Sequence, residues 1–198
     1  MRRDIQENIL GLVLAGGKSS RMGKDKALLK YKGEIQLKRS FDLLSRFCEK
    51  VFVSVNHRQA KLSFYDKFPI IPDAYKNIGP LGGIMSAFKE YPKANWLILA
   101  CDLPFVKDKT INNLLIKRDP NKSATCYKSA YDLLPEPLCA IYENNILAHL
   151  KCFRKKGITC PRKILMQMDV KMLKLNNKKE LDNINTFAEY KNVISTHK

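Results

Sequence analysis

Metal-binding spacing is the first thing this sequence lacks. It holds three histidines and six cysteines, and none of the cysteines forms a Cys-x-x-Cys pair. A zinc module and a disulfide framework are therefore both disfavoured. Cys48, Cys101, Cys126, Cys139, Cys152 and Cys160 lie mostly inside apolar runs, where a reduced thiol packs as a small hydrophobe. That usage suits a reducing cytoplasm. Long hydrophobic runs are missing too. No stretch is apolar enough to span a bilayer, and the polar start Met1-Arg2-Arg3-Asp4-Ile5-Gln6-Glu7-Asn8 leads into no secretory core. A soluble protein without a signal peptide, and with no membrane partner, is expected. There is also no internal repeat, low-complexity tract or linker. The 198 residues, 45% of them hydrophobic, are enough for one domain with a substantial core and too few for two ordinary ones. A single domain over 1–198 is expected.

Acid is the other shortage. Asp and Glu number 19 against 36 Lys and Arg, a formal net charge of +17. Such a balance invites an anionic partner: nucleic acid, an acidic membrane surface or a phosphorylated ligand. A solvated, lysine-rich surface gives the same number. The lysines are spread along the chain rather than gathered in a block, and no basic stripe is interleaved with aromatics. Nucleic-acid binding is not indicated.

What the sequence does have is one concentrated stretch, Leu14-Ala15-Gly16-Gly17-Lys18-Ser19-Ser20-Arg21-Met22-Gly23-Lys24-Asp25-Lys26-Ala27-Leu28-Leu29. The apolar run Ile9 to Ala15 leads into it as a short buried strand. Gly16 and Gly17 let backbone N–H groups approach an anion with no Cβ in the way. Successive N–H groups in a turn make a concave anion site. Arg21 as a planar fork and Lys26 as a point charge suit a polyphosphate. The P-loop spacing is absent, because Gly17-Lys18-Ser19 would need glycine where Leu12 stands. The Gly-x-Gly-x-x-Gly fingerprint is absent as well. On composition alone the stretch could equally be a strand-to-helix turn with a solvated basic rim.

The pattern Leu-Ala-Gly-Gly-x-Ser-x-Arg-Met-Gly-x-Asp-Lys-Ala-Leu-Leu resembles the signature loop of the molybdenum cofactor guanylyltransferases, the MobA-type nucleotidyltransferases with a Rossmann-like fold. The Leu-Ala-Gly-Gly core also occurs in sugar-phosphate and cytidylyl transferases. The Ser-x-Arg-Met-Gly-x-Asp-Lys extension points to the molybdopterin branch. This resemblance implies nucleotide contacts at Leu14, Ala15, Gly16, Gly17 and Lys26, with Arg21 and Lys26 catalytic. Asp25 would at most orient one of those two.

The rest of the chain alternates strand and helix patterns. Leu37 to Phe47 is spaced as an amphipathic helix, and Val51 to Val55 is β-rich and ends at Asn56. Phe68 to Pro72 reads as a short strand made irregular by its prolines, followed at once by Asp73. Gly79-Pro80-Leu81-Gly82-Gly83 opens a helix whose small residues let its N-terminus approach a ligand or merely pack on the sheet. Trp96 to Cys101 has the continuous apolar character of a central parallel strand and ends at Asp102. Ligands of open α/β sheets sit past the carboxyl ends of strands, so Asn56, Asp73 and Asp102 are candidate contacts, though each could also be an ordinary turn or cap residue. A strand-end Asp is well placed for Mg²⁺, which takes one or two carboxylates plus substrate phosphates. Further on, Lys107–Arg118 and Glu143–Lys156 read as helices, and Ser123–Tyr127, Glu136–Tyr142 and Val170–Leu175 as strands. Asn183-Ile184-Asn185-Thr186 reads as the start of a terminal helix.

The resemblance adds roles to these positions. It implies that Asn56, Asp73 and Gly79 belong to the guanine nucleotide site. It makes Asp102 the metal-binding and catalytic Asp, because Cys101-Asp102-Leu103-Pro104 matches the family's Cys-Asp-x-Pro. Glu136-Pro137-Leu138 to Tyr142 is similar to the family strand that borders the second-substrate site. Asn185 would lie near metal and phosphates, although Phe187 stands where the family carries Pro. The implied fold is a three-layer α/β/α sandwich on a mostly parallel sheet. The implied reaction is GMP transfer from GTP to the terminal phosphate of molybdenum-molybdopterin, with Mg²⁺, releasing pyrophosphate. Other cofactor-biosynthesis proteins and recipient molybdoenzymes are the implied partners. A cytidylyltransferase acting on the same or another phosphate is the nearest alternative, and a non-catalytic basic nucleic-acid-binding or accessory protein a remoter one.

Overall fold

The computed structural model describes residues 9–16, 26–31 and 33–184. Strand β1 (Ile9–Leu14) is almost entirely buried. A small antiparallel hairpin, β2 (Lys30–Tyr31) and β3 (Glu34–Ile35), then feeds α1 (Gln36–Ser45). The chain continues through β4 (Val51–Val55), β5 (Ile70–Pro72), α2 (Pro80–Glu90), β6 (Asn95–Ala100) and α3 (Asp108–Ile116). It goes on with β7 (Ala124–Lys128), β8 (Pro135–Tyr142), α4 (Leu147–Lys155), α5 (Pro161–Leu165) and β9 (Val170–Leu173).

Seven strands form one sheet in the order β5-β4-β1-β6-β8-β7-β9. β5, β4, β1 and β6 run parallel, β8 is antiparallel to both its neighbours, and β9 is parallel to β7. The continuous apolar runs of β1 and β6 follow from this. Each strand is covered on both faces, so period-two alternation disappears. Pro72 is tolerated in β5 because the strand is the outer member of its end of the sheet.

Successive side chains of a strand point to opposite faces, and two cores result. Val13, Val53, Leu97 and Leu99 pack with Leu37, Leu43 and Leu44 of α1 and Ile111, Leu114 and Leu115 of α3. Leu12, Leu14, Trp96 and Ile98 pack with α2, with Leu150 of α4 and with Ile164 and Leu165 of α5. The helices therefore divide between the two faces of the sheet, which is the three-layer sandwich the alternation predicted. Helices α1 and α3 lie within about two residues of their predicted ranges. The helix expected over Glu143–Lys156 begins as a 3₁₀ turn, Asn144–Ile146, before α4. The hairpin β2–β3 and the short α5 carried too little periodicity to be read from sequence. Among the described residues no helix is long and apolar enough to cross a membrane.

Packing is close where α2 crosses the sheet. A β-carbon on Gly83 would collide with Ser54 Oγ and stand 2.9 Å from Leu14 Cδ2. Either neighbour must move, and Ser54 cannot rotate away without losing the hydrogen bond it donates to Asp73. Gly83→Ala is expected to destabilise by about 1–3 kcal/mol, the usual cost of overpacking a core. Urea denaturation checks this as a lowered midpoint at unchanged slope. An unchanged midpoint contradicts it.

Candidate functional site

The sheet order places the carboxyl ends of β5, β4, β1 and β6 side by side, with the reversal of strand order falling between β1 and β6. Open α/β sheets bind ligands at such a switch point. Asp73, Asn56, Gly16 and Asp102 follow those four strand ends in that order along the edge.

The first three are gathered closely. Leu14 is paired with Ser54 on one side and Ala100 on the other. The N–H groups of Ala15 and Gly16 both donate to the Ser54 carbonyl at 3.1 Å. Ser54 Oγ donates to Asp73 Oδ1 at 2.8 Å. A β-carbon on Gly16 would stand 3.2 Å from Asp73 Oδ2 and 3.6 Å from the Asn56 nitrogen, so a glycine here lets the carboxylate lie against the backbone. Asn56 Oδ1 accepts from the N–H groups of Arg58 and Gln59, at 2.9 and 3.0 Å. That closes the turn after β4. Beyond Asp73, the Ala74 N–H donates to Ser86 Oγ, which donates in turn to the Gly82 carbonyl, fixing the loop onto α2. Gly79 takes φ +59° just before Pro80 opens that helix, and Asn77 takes φ +60°.

Gly79 and Asp102 face a different space. They line a cavity of about 670 Å³ together with the turn between β7 and β8, the start of α5 and the segment Leu181–Asn183. This is an ordinary volume for a small-molecule site. Arg162 is held there by Asp132 and Glu136, each at 2.8 Å, and Tyr131 donates its hydroxyl to Asp182 at 2.6 Å. The Asp102 carbonyl accepts from the Ile184 N–H at 3.1 Å, which brings the chain just before Asn185 to the end of β6. Glu136–Leu138 lies in the cavity wall, where the resemblance expects the second-substrate border.

Gly17, Arg21 and Asn185 lie outside the described residues, as does the expected terminal helix. Lys26 opens a 3₁₀ turn, Lys26–Leu28; its side chain is not among those described. Among the described residues no group of three or more His, Cys, Asp or Glu is assembled for a metal ion. Among the described residues no cysteine is joined in a disulfide. Burial pushes the Cys48 and Cys126 thiols up to about 12, which keeps them protonated and unreactive.

Ser54 and Gln59 were not singled out in the sequence. A serine inside Val51-Phe52-Val53-Ser54-Val55 is the one polar residue of an apolar strand. Asn56-His57-Arg58-Gln59 has the spacing of a reciprocal cap. Both signals were present and local, but neither says what the side chain reaches across the fold.

The profile of the MobA-like NTP transferase domain matches residues 11–171. The chain belongs to that family. A molybdenum cofactor biosynthesis bifunctional protein of Synechocystis is 38% identical over 93% of this chain, which spans about half (53%) of that protein's length. A probable molybdenum cofactor guanylyltransferase of Clostridium perfringens is 30% identical, with 92% of this chain and 94% of that protein covered. The crystal structure of molybdopterin-guanine dinucleotide biosynthesis protein A from Archaeoglobus fulgidus superposes with TM-score 0.77 at 25% identity, over 95% of this chain and 98% of that one. The family and the α/β fold inferred from Leu14–Leu29 are thus established. Within this MobA-like frame, the signature strand β1 stands between the two halves of the candidate site.

Burial pushes the Asp73 carboxyl above the usual aspartate range, opposed by the Ser54 hydrogen bond and by His57. A carboxyl raised in the folded state favours folding while protonated, and that contribution is lost as pH rises through its folded pKa. Ionised Asp73 is therefore a burden at neutral pH. Asp73→Asn is expected to raise Tm at neutral pH, with the gain shrinking as the buffer is made acidic. Thermal melts of both proteins across that range check it; a lower Tm for the variant at neutral pH contradicts it.

Proposed function

We propose that this chain is a single nucleotidyltransferase domain that transfers GMP from GTP to the terminal phosphate of molybdenum-molybdopterin. The observation that carries the reading is the division of one sheet edge into two compartments. Gly16, Asn56 and Asp73 are gathered on the β1–β4–β5 side, and Gly79 and Asp102 open onto the cavity on the β6–β8 side. Two substrates that must meet at one phosphorus need such a pair of compartments with a charged junction. The choice of guanine rests on relatives named for guanylyl transfer.

In this reading the nucleoside lies against Ala15–Gly16, Asn56 and Asp73. The triphosphate follows the signature loop, where Gly17, Arg21 and Lys26 neutralise it. The acceptor lies in the cavity between Asp102 and the β7–β8 turn. An acceptor phosphate oxygen bonds to the α-phosphorus, the bond from that phosphorus to the bridging oxygen breaks, and pyrophosphate leaves with the electron pair. No covalent enzyme intermediate is needed, because the nucleophile is already anionic. Catalysis then comes from alignment and from charge placed in advance.

A divalent cation fits the residues present. Asp102 is a half-buried carboxylate on the cavity wall, and one carboxylate completed by substrate phosphates is the donor set Mg²⁺ commonly takes. Asp102 would hold it, with Asn185 the further residue the resemblance brings near. The ion would supply neutralisation of phosphate charge. Cytoplasmic location and contacts with other cofactor-biosynthesis proteins and recipient molybdoenzymes belong to the same proposal.

Incubation with α-labelled GTP, Mg²⁺ and molybdenum-molybdopterin is expected to yield labelled dinucleotide and pyrophosphate, with GTP preferred over CTP. Asp102→Asn is expected to lower turnover on the order of ~100-fold or more, as loss of a preorganised charge contact does. CTP preference would move the chain to the cytidylyl branch. Full activity in Asp102→Asn would remove that residue from the mechanism.

A further inference from the structure

Gln59 is 6% exposed, and each polar atom of its side chain is engaged. Oε1 accepts from the Asn56 N–H at 3.0 Å. Nε2 donates to the Ala15 carbonyl and to the Tyr65 hydroxyl, both at 3.0 Å. Its backbone N–H returns a bond to Asn56 Oδ1 at 3.0 Å. The exchange with Asn56 is a reciprocal cap, and any Asn-x-x-Gln turn could make it. The bond to Ala15 is of another kind. It leaves the turn, spans 44 positions of sequence and ends on the residue that begins the glycine loop.

Ala15 is thereby gripped on both sides of its backbone. Its N–H is held by the Ser54 carbonyl and its C=O by the Gln59 amide. Gln59 in turn is oriented by Tyr65, which is fully buried. A carboxamide suits this place because it alone offers, in one plane, an acceptor for Asn56 and two donors for Ala15 and Tyr65. Shortening it to an apolar group would strip the Ala15 carbonyl and the Asn56 N–H of this partner together.

We infer that Gln59 is a positioning residue for nucleotide binding: it locks the Ala15 peptide to the Asn56 turn, and so sets the gap into which the nucleoside fits. The inference rests on the proposal that this edge takes the nucleotide. Gln59 itself touches neither reacting atoms nor, in this arrangement, the ligand. Its effect is transmitted through Ala15, Gly16 and Asn56.

Titration calorimetry with GTP and Mg²⁺ on wild type, Gln59→Leu and Gln59→Glu separates positioning from simple support of the fold. Gln59→Leu removes the side-chain bonds to Asn56, Ala15 and Tyr65. Gln59→Glu keeps the volume and the acceptor for Asn56 but sets an oxygen against the Ala15 carbonyl, and it serves if the leucine variant does not fold. Expected is a rise in Kd of about tenfold or more, the equivalent of the roughly 1–3 kcal/mol left when buried polar groups lose their partners, with binding stoichiometry unchanged. A merely structural role would instead lower the stoichiometry through a misfolded fraction and leave Kd alone, which would overturn the inference. So would an unchanged Kd at full stoichiometry in either folded variant. If wild type itself binds no GTP, the nucleotide reading fails and the inference falls with it.

Discussion

The carbonyl of Ser54 accepts the N–H groups of both Ala15 and Gly16, while its hydroxyl holds Asp73. Much of the candidate site depends on that one residue. β1 ends where its backbone leaves the ladder, and β4 supplies the last acceptors it meets. The glycine loop therefore departs from a fixed point. Gly83 of α2 presses on the same side chain from behind the sheet, so the helix, the strand end and the carboxylate share one packing constraint. The absence of a side chain at Gly83 leaves room for Ser54, and its absence at Gly16 leaves room for Asp73. Both glycines are needed for space and not for unusual backbone angles.

Charge is arranged against the average. The chain carries a formal +17, yet the described wall of the cavity contributes Asp102, Asp132, Glu136 and Asp182 against Arg162. Arg162 is already satisfied by two of those carboxylates. Overall basicity therefore does not by itself explain how polyanionic substrates are held. The cations expected to meet phosphate, Arg21 and Lys26, belong to the signature loop, and a divalent ion on Asp102 would serve the junction. The surplus of lysine is left to long-range attraction, which salt would screen.

Most of the sandwich was legible because its strands are unusually apolar and its helices carry clear amphipathic spacing. Trp96–Cys101 announced a central strand, and Asp73 and Asp102 announced their strand ends by following apolar runs directly. The β2–β3 hairpin and α5 escaped because two-residue strands and a five-residue helix have too few positions to show a period. Ser54 and Gln59 escaped for a different reason. Their roles depend on contacts 19 and 44 positions away, which only the parallel register of β1, β4 and β5 creates. Of the cavity proposed for the acceptor, only the Glu136–Leu138 border was legible, and only through the resemblance. Its wall joins the β7–β8 turn to Arg162 and to Asp182, and no local pattern connects those three.

The most direct test is a crystal structure with a non-hydrolysable GTP analogue and Mg²⁺. The expected result places the base beside Asn56 and Asp73 and the α-phosphate on the Asp102 side, with the 670 Å³ cavity still open for the acceptor. A nucleotide found in that cavity, with Gly16, Asn56 and Asp73 untouched, would contradict the two-compartment arrangement.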